Sequence, residues 1–152
     1  MSDPVNPATR PTRLAAWEHW LVAVMLALSF LSGALVWLGQ TIQQSEQAAP
    51  TWLHPLLVLH GALNPFQCAI FGWLAFQHIR VGWQMRANVL TGFAMEFVFA
   101  GLILTGVGLY YAGTPEWRDG FVWAHRVLGL LLPAALVLHW ITGLRWAKKN
   151  SE

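Results

Sequence analysis

The chain has 152 residues, of which 56% are hydrophobic and 11% charged, and its formal net charge is +2. That length accommodates about one domain, and so apolar a composition is that of a membrane protein. The small positive excess calls for no nucleic-acid partner, and the sequence holds no CxxCH motif, iron–sulfur cysteine set, Gly-rich phosphate loop or nucleophile constellation.

Residues 1–13 read as a polar tail ending in Arg10 and Arg13, and the first apolar segment, about 14–38, follows. It is too long for the core of a signal peptide and no small-residue cleavage site follows it, so it is expected to stay as a helix. The second segment, about 53–79, exceeds the ~20 residues that span a bilayer, so its ends project or the helix tilts. It carries His54, His60, Asn64, Pro65, Gln67, Cys68 and His78. A lone cysteine cannot form an intrachain disulfide, and Pro65 is a place for the helix to bend. Asn64 and Gln67 suit hydrogen bonds between helices. The third segment, about 89–112, holds Glu96, and among its glycines Gly101, Gly106 and Gly108 are suited to close packing. The fourth, about 121–146, carries His125 and His139, and residues 147–152 form a basic tail.

Four spans joined by short loops predict an all-α membrane protein, a four-helix antiparallel bundle occupying residues 14–146, because backbone in lipid must satisfy itself. Charge sets the expected orientation. Arg10, Arg13, Arg80, Arg86, Arg145, Lys148 and Lys149 flank one side, while Glu46, Glu116 and Asp119, with Arg118, lie on the other. The positive-inside rule then places both termini in the cytoplasm. Tryptophans divide the same way: Trp17, Trp20, Trp83, Trp140 and Trp146 at one interface, Trp37, Trp52, Trp117 and Trp123 at the other, with Trp73 in mid-helix.

The histidines carry the chemistry. His125 and His139 lie fourteen residues apart, which is ~21 Å along a helix and within about 40° of one face. One ion cannot bind both, but two stacked sites can take one each if other helices supply partners at matching depth. His125 lies five residues inside Gly120 and His60 five inside Pro55; His139 lies six before Arg145 and His19 six after Arg13. Depth therefore pairs His60 with His125 and His19 with His139. His78 is the rival for the second pair: it lies five helical turns from His60 and is followed by Gly82, but eighteen residues rise ~27 Å, and it sits only two residues before Arg80. His54, beside Trp52 and Pro55, belongs to the headgroup region. Gly129 and Gly143 each follow a histidine by four, and Gly33 follows His19 by fourteen, at the level of the His60–His125 site. Small residues at those places let a flat macrocycle approach a helix backbone, and haem iron accepts axial imidazole from facing helices of a bundle. Arg126, next to His125, is either a snorkelling cation or a partner for haem propionates.

The stretch "RPTRLAAWEHWLVAVMLALSFLSG", with an HW pair leading to an SG pair, resembles the opening of bacterial di-haem b-type cytochromes, among them the gamma subunit of formate dehydrogenase and the cytochrome b subunit of nickel-iron hydrogenase. "LILTGVGLYY" and the pattern H-x3-G-x9-H over His125 to His139 are similar to that family too. The resemblance implies two b haems ligated by His19, His60, His125 and His139. The short connection between the second and third segments, the extra histidines at 54 and 78, and Glu96 depart from the family's larger members.

The expected function is electron transfer between a periplasmic redox protein or partner subunit and the membrane quinone pool, in the inner membrane of a bacterium. Two other readings stay open: a self-sufficient enzyme that oxidises superoxide and reduces quinone, and a non-redox scaffold or transporter subunit. Glu96 lies ten residues beyond Arg86, ~15 Å into a ~30 Å core. A carboxylate at that depth must be neutral, paired or in a polar pocket. It is either hydrogen-bonded to a neighbouring helix or, with Asn88 and His78, part of a proton path to quinone.

Overall fold

The computed structural model describes residues 14–149, so Arg10, Arg13 and residues 150–152 lie outside the described residues. Every regular element in that range is helical. Four helical stretches are long and apolar enough to cross a membrane: Ala16–Glu46, Leu53–Gln84, Val89–Tyr111 and Pro115–Lys149. This is the architecture of a multi-pass membrane protein. Many large apolar side chains point outward, as hydrocarbon solvent allows: Leu90 is 84% exposed, Phe76 72% and Leu104 70%.

Helix α1, Ala16–Glu46, opens with Glu18 reaching back, its Oε2 accepting from the Ala15 backbone N–H at 2.6 Å. An acidic group there satisfies an orphan donor and meets the positive end of the helix dipole. The helix outruns its apolar segment by eight residues because "GQTIQQSE" lacks proline and holds its hydroxyls inward; Thr41 Oγ1 donates to Trp37 O and Ser45 Oγ to Ile42 O. It stops at Gln47, whose φ of 54° is left-handed.

The second span is in pieces: α2 (Leu53–Ala62), α3 (Asn64–Leu74), a π-helical turn (Ala75–Ile79) and α4 (Arg80–Gln84). The first break is chemical. Pro65, in the first turn of α3, has no N–H to give the preceding turn, and the Leu63 N–H is shared between Leu59 O at 3.2 Å and His60 O at 3.3 Å. The π turn carries one extra residue per turn and turns His78 relative to a regular helix; such turns are frequent at functional sites. The span continues past Arg80 to Gln84, so Arg80 does not mark its end.

Helix α5 (Val89–Tyr111) follows Asn88, which adopts φ 51°. Helix α6 (Pro115–Lys149) begins six residues before the fourth apolar segment. Thr114 accepts from the backbone N–H groups of Trp117 and Arg118, and Pro115 fills the first helical position, where its missing N–H costs nothing. Helices α5 and α6 form the most extensive pair, with α1 against α2 next. The buried core is a layer to which four helices contribute: Leu26 from α1, Ile70 and Leu74 from α3, Val98 and Phe99 from α5, Leu132 from α6. Phe71 and Phe99 meet edge to face at 5.2 Å. In sequence this layer falls between the histidines: Leu132 is seven residues from both His125 and His139. It therefore lies between two histidine-bearing compartments of the bundle.

Candidate functional site

The first compartment is a cavity of about 470 Å³ between α1, α2, α3, α5 and α6, lined by His60, His125, Gly33, Gly106, Gly129 and Arg126 among largely apolar neighbours. A pocket of that size and character is typical for a cofactor. The rings of His60 and His125 are neighbours across it, with centroids 6.1 Å apart and planes nearly perpendicular at 82°. One ion held between two ring nitrogens needs bonds of about 2.0–2.1 Å, and a ring nitrogen lies ~1.1 Å from its centroid, so the required separation is ~6.2 Å. The observed spacing fits.

Each ring is held from behind. His60 Nδ1 lies 2.9 Å from Ser32 Oγ on α1, and His125 Nδ1 lies 2.9 Å from Thr105 Oγ1 on α5. Below them, Gln67 Nε2 donates to Met25 O at 2.9 Å and Ser29 Oγ at 2.7 Å, tying α3 to α1. Among the described residues its buried Oε1 has no hydrogen-bond partner. At the opposite end of the cavity Arg126 donates through Nη2 to Gln40 Oε1 at 2.9 Å and lies over the Trp37 ring at 5.1 Å, with Arg118 also lining the space.

The second compartment also holds a neighbouring pair, but the partners are His78 and His139, with centroids 6.0 Å apart and planes at 88°. Depth counting paired His139 with His19. Instead His19 is exposed, and its Nδ1 lies 3.2 Å from its own Ala15 O. The reason is the length of the second span. Because it runs to Gln84, His78 lies six residues inside its end, the depth assigned to His139, and the π turn and Pro65 break remove the ideal geometry on which the ~27 Å separation rested.

Asn88 Nδ2 donates to His139 O at 2.9 Å and lies 3.3 Å from His139 Nδ1, while Thr91 Oγ1 lies 3.4 Å from that nitrogen. Thr91 also meets Thr142 Oγ1 at 2.9 Å. A Cβ at Gly143 would lie 3.5 Å from Asn88 Nδ2, so this glycine borders the amide that holds His139. Asn88 and His78 thus both belong to the His139 site. Glu96 has a different neighbour: its Oε1 accepts from Trp83 Nε1 at 3.1 Å, which links α5 to α4. His54 is exposed, and Trp17 stacks on Trp73 at 6.2 Å, which explains the tryptophan in mid-helix.

Sequence reasoning did not single out Ser32, Thr91, Thr105, Gly92, Gln40 or the lining role of Arg118. A signal for four of them was present: a hydroxyl residue directly before a glycine inside an apolar helix, at 32–33, 91–92 and 105–106.

The donor set suits a particular kind of group. Among the described residues no three His, Cys, Asp or Glu side chains converge on one point. Each imidazole pair would offer two donors to one ion, and a ligand that brings four donors of its own, as a porphyrin does, would supply the rest. Comparison with family models, curated proteins and solved structures gives no match for this chain.

Proposed function

We propose that this protein is a transmembrane electron carrier of the di-haem b type, with one haem between His60 and His125 and a second between His78 and His139. The observation that carries the reading is the pair of imidazoles 6.1 Å apart across a cavity of about 470 Å³, repeated at 6.0 Å in the other compartment. Bound haem, held by His60 with His125 and by His78 with His139, would supply one-electron redox chemistry suited to electron transfer. The chain's own residues do the rest. Gly33, Gly106 and Gly129 border the cavity, its apolar walls exclude water, and Arg126 and Arg118 line it where they would hold the propionates of the first group. His125 and His139 set the two centres ~21 Å apart along α6.

The basic residues Arg80, Arg86, Arg145, Lys148 and Lys149 gather at the His78–His139 end, which supports a bacterial inner-membrane location with that end and both termini in the cytoplasm. Electrons then pass between a periplasmic redox protein or partner subunit and quinone in the membrane. Glu96, a carboxylate within an apolar span that accepts from Trp83 through Oε1, supports a quinone site toward the cytoplasmic end.

The test is a pyridine haemochrome assay and a reduced-minus-oxidised visible spectrum on the purified full-length chain. The expected result is two b haems per chain. A spectrum without haem bands, from protein produced with ample haem, refutes the proposal.

A further inference from the structure

Three of the paired imidazoles rest on the same two-residue device. His60 has Ser32 Oγ at Nδ1, and a Cβ on the next residue, Gly33, would lie 2.9 Å from His60 Cε1. His125 has Thr105 Oγ1 at Nδ1 and Gly106 next to Cε1, where a Cβ would lie at 3.6 Å. His139 has Thr91 Oγ1 at Nδ1 and Gly92 next to Cε1, at 3.7 Å. In each case a hydroxyl–glycine dipeptide on a neighbouring helix lies along one edge of the ring: the hydroxyl meets the nitrogen, and at Gly33 the missing side chain makes room for the adjacent carbon, while Gly106 and Gly92 border it at ordinary contact distance.

The hydroxyl's own proton decides what the contact means. A hydroxyl has one proton to give. Ser32 Oγ donates it to Ser29 O at 3.2 Å, and Thr105 Oγ1 donates it to Gly101 O at 2.7 Å. With the hydroxyl proton on those carbonyls, both oxygens meet the ring nitrogen as acceptors and Nδ1 carries the hydrogen. The lone pair is then on Nε2, at the far side of the ring. Thr91 spends its proton on Asn88 Oδ1 at 2.6 Å, but its contact with His139 is longer, at 3.4 Å, and shares Nδ1 with the Asn88 amide. That latch is the weaker one.

We infer that Ser32–Gly33 and Thr105–Gly106 are positioning dipeptides that fix His60 and His125 as Nδ1–H tautomers, aim Nε2 at a metal and make each imidazole a stronger donor. The inference rests on the haem reading above. Partners of this kind orient metal-ligating histidines and raise their basicity, so removing one should favour the reduced metal.

The experiment uses the full-length chain with Thr105→Val, which keeps shape and removes the oxygen, Thr105→Ser, which restores it, and Ser32→Ala. Redox titration of the haem bands should show Thr105→Val and Ser32→Ala each raising the potential of one centre while the other stays at its wild-type value, and Thr105→Ser returning it. If Thr105→Val loses one haem, Thr105→Ser should keep it. Wild-type potentials in all three variants, or equal loss of haem in Thr105→Val and Thr105→Ser, overturn the inference while leaving the haem reading standing. Nitrogen-15 NMR of the histidines in haem-free protein is the independent measurement. His60 and His125 should carry hydrogen on Nδ1, and a change to Nε2–H at His125 is expected in Thr105→Val. Nε2–H in the wild type at both rings overturns the inference whether or not haem binds.

Discussion

Gly33→Ala offers the sharpest test of how tightly the first compartment is built. The added methyl carbon would stand 2.9 Å from His60 Cε1 and 3.5 Å from both ring nitrogens. Non-bonded carbons settle at about 3.5–4.0 Å, so the ring must retreat by roughly 0.6 Å or more. It cannot retreat freely, because Ser32, the residue next to Gly33, holds its Nδ1 at 2.9 Å. Moving the ring stretches that bond and tilts Nε2 off its line to His125. Overpacking of this kind costs about 1–3 kcal/mol, a factor of roughly 5 to 150 in haem affinity when it falls on the bound state. Haem titration of purified apoprotein, followed at the Soret band, reads that factor directly. Gly106→Ala is the control: its methyl would lie 3.6 Å from His125 Cε1, an ordinary contact, and it should bind within about twofold of wild type. Equal affinities for Gly33→Ala and wild type, or a greater loss in Gly106→Ala, would refute the reasoning.

The remaining expectations use the same preparation. His78→Ala should lose one haem and keep the other, while His19→Ala keeps both; haem content per chain measures each, and the opposite pattern restores the pairing by depth. Deleting Phe76 from the π turn should rewind the span as a regular helix and turn His78 by roughly 40°. Loss of one haem with the first compartment intact is expected, and two retained haems would show that the turn does not aim His78. Glu96→Gln keeps an oxygen to accept from Trp83 Nε1, so both haem spectra should persist while quinone reduction slows several-fold; unchanged stopped-flow rates reduce Glu96 to a packing residue.

Hydropathy made the four spans legible because lipid-facing and core-facing positions are both apolar, so long runs stand out whichever way they face. The same property hid the helix ends. Polar turns at Gly39–Glu46 and Pro115–Gly120 are helical because of local chemistry, a proline-free run in one and a Thr-Pro start in the other, and neither raises hydropathy. Counting from Pro55 and Gly120 set His60 opposite His125, and their rings lie 6.1 Å apart. Counting from Arg80 misled, since the charge there sits four residues before the last residue of α4. The π turn left no mark in "AFQHI" that propensity could read. The hydroxyl–glycine dipeptides were visible as letters, but their meaning depends on which imidazole faces them across the bundle, and one sequence does not contain that.

In an electron carrier of the kind proposed, the apolar layer of Leu26, Ile70, Leu74, Val98, Phe99 and Leu132 would act as the insulator between the two centres. Its side chains offer no lone pair and no exchangeable hydrogen, so a proton entering from either compartment meets no relay in this layer. An electron needs none, because it tunnels through packed hydrocarbon. If the two imidazole pairs hold redox centres, charge crosses the middle of the membrane uncompensated, and each passage works with or against the membrane field by about 2.3 kcal/mol per 100 mV for the full thickness. A lysine or aspartate placed in that layer would therefore do more than unsettle packing. It would give protons a foothold between the compartments and, in an electron carrier, let the field leak away from electron flow.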